Sequence, residues 1–303
     1  MNHTISSPRK TSSRRQPDTT KTSGHKRTSH SNDFAGGILK ESGMRSIIGD
    51  LSQSGFALLP GWGFWFDTLS PIKRPEAWAA LCHPHTVSLL KNHTMQIGHF
   101  TLNDEGGIDE PAQLTVAVSI KEEKSHLTIV EGGDWISGSP LLPLSVRSYL
   151  ADLFSFQRAM RSYFDEVVPR TEFPTKVQCR VFHYLPSDPL AAFRRDFEAH
   201  PAMRNHVDGT VVTVVVADSS DRALRCYANG RWETIARADG KPFAVGFPGS
   251  AAAHDFDLPP IPHLVLPCCE PRVSIVTRLA PDLGTLSIDL AKNRLAKWRI
   301  RRA

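Results

Sequence analysis

His206 and Asp208 stand two residues apart in HVDGT, and a second histidine, His263, follows in PHLVLPCCEPRVSIVTRL. In an extended segment the side chains at i and i+2 point to the same side, so an imidazole and a carboxylate spaced in this way can reach one metal ion. His-x-Asp pairs are frequent by chance, and the pair gains weight from what comes after it. Arg272 lies nine residues beyond His263 and Ser274 two beyond Arg272. An arginine offers a planar fork of N–H donors suited to a carboxylate, and a serine on the same strand face adds a hydroxyl.

Together these residues resemble the iron(II)/2-oxoglutarate-dependent dioxygenases, in the branch that includes isopenicillin N synthase and the plant oxygenases. The pattern there is H-x-D, a distal histidine and then R-x-S. A valine-rich strand directly after H-x-D and a G-x-W-like turn, here Asn229, Gly230, Arg231 and Trp232, agree with it, and the resemblance runs from Val177 to about Leu279. It implies a mainly β protein with flanking helices around a double-stranded β-helix of the jelly-roll or cupin-like kind. It also implies Fe(II) held by His206, Asp208 and His263, with 2-oxoglutarate chelating the metal and its far carboxylate received by Arg272 and Ser274. Two imidazoles and one carboxylate on one face of the metal leave three positions open, as non-haem Fe(II) oxygenases require. The resemblance further implies O2 as the oxidant, ascorbate as a stimulant of turnover, and succinate and CO2 as the products released as the substrate is oxidised.

A third cosubstrate contact is expected where plant members carry Asn-Tyr-Tyr-Pro. This chain reads VFHYLPSDP, which makes Tyr184 the candidate and His183 its alternative, with Leu185 intervening before Pro186. The stretch from there to His206 is longer than in the plant enzymes and carries Arg194, Arg195 and Arg204. His254 is an alternative distal ligand, and His263 is preferred because R-x-S follows it alone. Arg278 shares the parity of Arg272 and is the substitute for it, farther from His263. Cys82, His83 and His85 in CHPH read as a surface turn, and Cys268-Cys269 as packing or loop.

The elements that must position these residues are short. Leu39, Met44, Ile47, Ile48 and Leu51 recur at helical spacing until Gly55, and the extended run FALLP follows. TMQIGHFTL, AQLTVAVSI and SHLTIVEGG read as strands, and Pro143 to Val168 as a long helix with Val146, Leu150, Leu153, Phe154 and Phe164 on one face, stopped by Pro169. Seven further strand-like runs follow, from KVQCRVFHYL to RVSIVTRL. Asn229-Gly230 is a hairpin signal, because both central residues of a type I′ turn need positive φ, and Asp239-Gly240 is a second. Many short strands without alternating helices point to an antiparallel sandwich or barrel.

The chain has 303 residues, 36 basic and 31 acidic. Residues 1–32 hold seven Lys/Arg and one acid, leaving 29 basic and 30 acidic residues in a near-neutral body. Six basic groups crowd the last dozen residues. The reading is a disordered basic tail over 1–34, helices and strands packing on the core over 35–170, the oxygenase core over 171–282 and a basic helix over 283–303. Neither a membrane-spanning stretch nor a signal-peptide core is evident, and five cysteines without C-x-x-C spacing suggest a reducing, cytoplasmic setting.

A neutral body argues against a broad polyanion surface, so nucleic acid is an unlikely partner. The first expectation is hydroxylation of a small molecule, an amino acid or an intermediate of secondary metabolism. The alternatives are oxidation of a protein side chain or nucleic acid recruited by the basic termini, and a β-helix that binds without catalysis. Halogenation goes with loss of the H-x-D carboxylate, and Asp208 is present.

Overall fold

A computed structural model describes residues 47–282 apart from residues 60, 93–115, 122–123, 172–173, 187–202, 218–222, 236–239 and 269. The elements are α1 (Ile47–Ser54), β1 (Ala57–Leu59), α2 (Trp65–Leu69), α3 (Pro75–Cys82), α4 (Pro84–Asn92), β2 (Val116–Ile120), β3 (Lys124–Val130) and a 3-10 turn at Asp134–Gly138. They continue with α5 (Leu144–Val167), β4 (Thr175–Tyr184), β5 (Met203–His206), β6 (Val212–Ala217), β7 (Leu224–Ala228), β8 (Arg231–Thr234), β9 (Phe243–Pro248), α6 (Ala252–Asp255), β10 (His263–Val265) and β11 (Arg272–Pro281). Among the described residues the strands form two antiparallel sheets, a large one in the order β1-β9-β6-β11-β4-β3-β2 and a small one in the order β5-β10-β7-β8.

Alternation of side chains assigns the two faces of the large sheet. Val177, Cys179 and Val181 of β4, Val212, Val214 and Val216 of β6, and Val273, Ile275 and Leu279 of β11 join one apolar cluster with the helices. Phe182 and Tyr184, Val215 and Ala217, and Val276 point the other way and pack with Leu224, Cys226, Ile261 and Val265 from the small sheet and its approach. With both faces covered, the β6 sequence VTVVVA is apolar almost throughout, as a doubly buried strand requires. Polar residues that point inward on these strands are therefore costly and specific, among them Thr213, Arg272, Ser274, Arg278 and, on β4, Arg180.

Helix α5 backs the large sheet. Val146, Leu150, Leu153, Phe154 and Phe164 are all buried, as the periodicity predicts, and burial of each stabilises the fold by roughly 1.5–3 kcal/mol. Gln157 Nε2 donates to the Val177 carbonyl at 2.8 Å and Tyr149 Oη to the Leu69 carbonyl at 2.6 Å, which ties the helix to β4 and α2. Gly55, at φ +77°, closes α1 with its N–H on the Leu51 carbonyl. Asn229 and Gly230, at φ +54° and +79°, make the β7–β8 hairpin.

The strands expected over AQLTVAVSI and SHLTIVEGG are β2 and β3, which begin at Val116 and Lys124. CHPH is an exposed bend between two helices: Cys82 ends α3 and Pro84 opens α4 at its first position, where a missing N–H costs nothing. Helices α2 to α4 have no counterpart in the periodicity reading, since each is too short for a repeat to emerge. The start of the first helix, the TMQIGHFTL strand, the 1–34 tail, Asp239, Cys269 and the 283–303 helix lie outside the described residues.

Candidate functional site

Strands β5 and β10 pair antiparallel with His206 opposite His263, so a separation of 57 residues closes to a ring–ring centroid distance of 4.2 Å. Strand β5 stops at His206, and Asp208 lies in the loop beyond it. The pair therefore converges through a loop and not, as the spacing predicts, through the parity of one strand. Nε2 of His206 is 3.6 Å from Asp208 Oδ1, and Nε2 of His263 is 3.7 Å from Oδ2. One ligand-capable atom from each of the three residues falls within 4.8 Å of the others.

The Asp208 loop is held from several sides. Its backbone carbonyl accepts from the Ser250 N–H at 2.8 Å, Thr210 O accepts from Ala251 N–H, and Val211 O from Gly249 N–H. Gly249 sits so close that a Cβ there would be 2.4 Å from Thr210 O and 2.7 Å from Asp208 O. Thr213 Oγ1 donates to Asp208 Oδ2 at 2.7 Å, and since a hydroxyl has one proton, Thr210 Oγ1 then donates to Thr213 across their 3.0 Å contact. Arg278 Nη2 donates to Oδ1 at 2.7 Å.

Burial alone would raise the Asp208 carboxyl, but Arg278, followed by His263, Thr213 and His206, outweighs it and holds the group at about 2. The carboxylate is thus fully ionised. Burial pushes His263 down to about 4, against the pull of Asp208, so its ring is neutral. Its Nδ1 is 3.3 Å from the Ile261 carbonyl; donation there leaves the Nε2 lone pair facing Asp208, the tautomer a metal ligand needs. His263 and Asp208 are nearly inaccessible, whereas the His206 side chain is 28% exposed, so the cluster opens on its His206 side.

A single cavity runs from Asp208 and His263 past Thr213, Val276 and Arg278 to Arg272, Ser274 and Tyr184. Arg272 and Tyr184 are opposite residues of the β11–β4 pair, and the guanidinium carbon lies 5.0 Å from the Tyr184 ring centroid. Arg272 Nη1 is 3.4 Å from Ser274 Oγ. Tyr184 Oη is buried without a hydrogen-bond partner. Burial raises the Tyr184 hydroxyl, keeping it a phenol, and lowers Arg272, with the two groups favouring each other's charge. A buried cation, a hydroxyl and an orphaned phenol at one end of the cavity fit a carboxylate guest, and the His/Asp/His donors at the other end fit a dication.

His183 is on the opposite face of β4, its ring edge-on to Trp78 at 6.1 Å, so it does not line the cavity. His83 and His85 are exposed and join no metal-ligand group among the described residues. Cys268 is a loop thiol whose Sγ lies 3.6 Å from the Leu266 carbonyl. Arg194 and Arg195, and the side chains of Arg204 and His254, fall outside the described residues. Sequence reasoning passed over Thr213, Gly249 and Arg180. The first two carry a weak signal, a lone polar residue inside a valine run and a glycine facing the H-x-D loop, and Arg180 breaks the apolar inward parity of β4.

No family model matches the sequence, and no curated protein matches it significantly. Solved structures do. A full-length Neurospora crassa protein, solved in complex with alpha-KG, is 14% identical and superposes with a TM-score of 0.52 over 84% of this chain and 88% of that one. A putative oxygenase from Shewanella oneidensis is 17% identical, with a TM-score of 0.50 over 84% of this chain and 93% of that one. What is shared is the fold: mainly β, with flanking helices around a double-stranded β-helix.

Proposed function

We propose that this chain is an Fe(II)/2-oxoglutarate-dependent dioxygenase that hydroxylates a small molecule. One observation carries the reading: His206, Asp208 and His263 converge at one end of a cavity whose other end holds Arg272, Ser274 and Tyr184. The three ligands would hold Fe(II), which when bound supplies the oxidising chemistry, coupling decarboxylation of 2-oxoglutarate to succinate with transfer of an oxygen atom from O2 into a substrate C–H bond. His206 and His263 each offer an imidazole nitrogen, and Asp208 a charge that Arg278 and Thr213 keep ionised and oriented. Arg272 gives the far carboxylate of 2-oxoglutarate a planar fork, with Ser274 and the Tyr184 hydroxyl as further donors. Burial of this end excludes water, which strengthens each of these bonds.

A small substrate is favoured by the depth of the metal end within the sandwich. The Neurospora crassa fold relative has also been solved with alpha-KG and thymine. Oxygen-dependent release of succinate from 2-oxoglutarate by the Fe(II)-loaded protein tests the reading. It should be abolished in His206→Ala with the fold intact by circular dichroism, and full activity in that variant would overturn the ligand assignment.

A further inference from the structure

Strands β3 and β4 continue the inward face of the large sheet beyond the cosubstrate end, and they are basic there. By register, Arg180 of β4 lies beside Val276 of β11, a cavity residue, and beside Thr128 of β3. His126 lies opposite Phe182 and Lys124 opposite Tyr184. The His126 ring is 5.3 Å from that of Phe182, and Lys124 Nζ is 5.9 Å from the Tyr184 centroid. Arg180 thus shares the face of Tyr184 and Arg272 and sits directly beside a residue that lines the cavity.

Among the described residues, charge on this face is unbalanced. Asp208 is the one described acid that lines the cavity, and Arg278 already holds it at 2.7 Å. Arg180 forms no ion pair among the described residues, and its Nε, like His126 Nδ1 and Arg278 Nε, is buried without a hydrogen-bond partner. Loading the site does not cure this: a ferrous ion, the Asp208 carboxylate, the two carboxylates of 2-oxoglutarate and the Arg272 guanidinium sum to zero charge. Arg180 and Arg278 remain in surplus. Crowding has a visible effect, since burial and then Arg180, Lys124, Lys121 and Arg278 press His126 down to about 4, and burial followed by Arg278 lowers Arg180 to about 9. Arg180 is half-buried, and the pull of Asp208 on its charge does not outweigh burial and Arg278, so a counter-charge arriving with a ligand would stabilise it and satisfy its buried Nε.

We infer that the substrate of this oxygenase carries a carboxylate, received by Arg180 on the inward face of β4 with His126 beside it. The inference rests on the oxygenase reading above and narrows its substrate class. Arginine suits the role because its fork takes a carboxylate by two parallel bonds and fixes the orientation of the rest of the molecule relative to the metal ligands.

The test uses the full chain loaded with Fe(II) and 2-oxoglutarate without oxygen. Calorimetry measures binding of benzoate, phenylacetate, hexanoate and decanoate, each against its primary amide. At least one carboxylate should bind about tenfold or more tighter than its amide, and Arg180→Gln should erase that preference while the 2-oxoglutarate Kd stays within about twofold. Arg180→Lys, which keeps the charge, should retain part of it and guards against a folding defect in the first variant. Carboxylates that bind no better than amides, or not at all, would overturn the inference, as would a preference that survives in Arg180→Gln. Loss of 2-oxoglutarate affinity in Arg180→Gln as large as in Arg272→Lys would make Arg180 a cosubstrate anchor instead. Failure of wild-type protein to form the visible Fe(II)/2-oxoglutarate chelate band would sink the oxygenase reading itself, a result separate from all of these.

Discussion

Arg278 reaches Asp208 with a 2.7 Å hydrogen bond from Nη2 to Oδ1, although the two residues are 70 positions apart. The same strand that carries Arg272 and Ser274 at its start thus fixes the Asp208 carboxylate near its end. Thr213 holds the other oxygen, so both oxygens of Asp208 have a protein donor and still keep lone pairs for a metal. Removing one partner of a buried ion pair strands the other.

Arg278→Met should therefore lower the stability of the metal-free protein by about 3 kcal/mol in urea unfolding and weaken Fe(II) binding by roughly 10–100-fold. Thr213→Val, nearly isosteric, should weaken Fe(II) binding with a smaller loss of stability. Unchanged Fe(II) affinity in both variants would show that Asp208 needs no support from either.

Gly249→Ala places a methyl group 2.4 Å from Thr210 O, a backbone atom that cannot swing aside. The Asp208 loop must shift, and we expect a loss of about 1–3 kcal/mol in stability together with weaker Fe(II) binding. Wild-type stability and affinity in this variant would contradict the close approach.

Acid should destabilise the metal-free protein in two stages. The folded-state values of His263 and His126, about 4, lie below the free value of 6.5, so the unfolded chain takes up protons first and stability falls between about pH 6.5 and 4. Asp208, at about 2 against 3.8, has the same sign and extends the loss from about pH 3.8 to 2. Thermal melts from pH 7.5 downward should show Tm falling, with a shallower fall in His126→Gln. A Tm that is flat or rises on acidification would contradict the neutral, buried state of these rings.

Deleting residues 1–32, which carry seven of the basic groups, should leave succinate release and its stimulation by small carboxylates within about twofold. Stimulation by an oligonucleotide or a protein in the full chain alone, lost steeply with salt, would move the substrate to a macromolecule.

Much of the architecture is legible in the residues because it depends on local patterns. The α5 face, the β7–β8 hairpin at Asn229-Gly230 and the long β4 and β11 strands follow from periodicity and turn chemistry. The pairing of His206 with His263 does not. It is set by how β5 and β10 meet across 57 residues, and in the sequence only the likeness to a known pattern joins the two. Strand parity makes Arg278 a stand-in for Arg272, yet parity cannot say where along a strand a partner lies, and the partner is Asp208. The choice between Tyr184 and His183 is likewise open until β4 is paired with β11, which turns Tyr184 toward Arg272 and His183 toward Trp78. Arg180 and Thr213 stay hidden because a single polar residue in a buried strand looks the same whether it points in or out.

Anaerobic titration of the purified protein with Fe(II) and 2-oxoglutarate tests the central claim most directly. A weak visible charge-transfer band should grow to saturation at one equivalent of each, vanish in His206→Ala and in Asp208→Ala, and require more 2-oxoglutarate in Arg272→Lys, where the charge survives and the fork does not. A folded wild-type protein that binds Fe(II) and gives no band with 2-oxoglutarate would contradict the account.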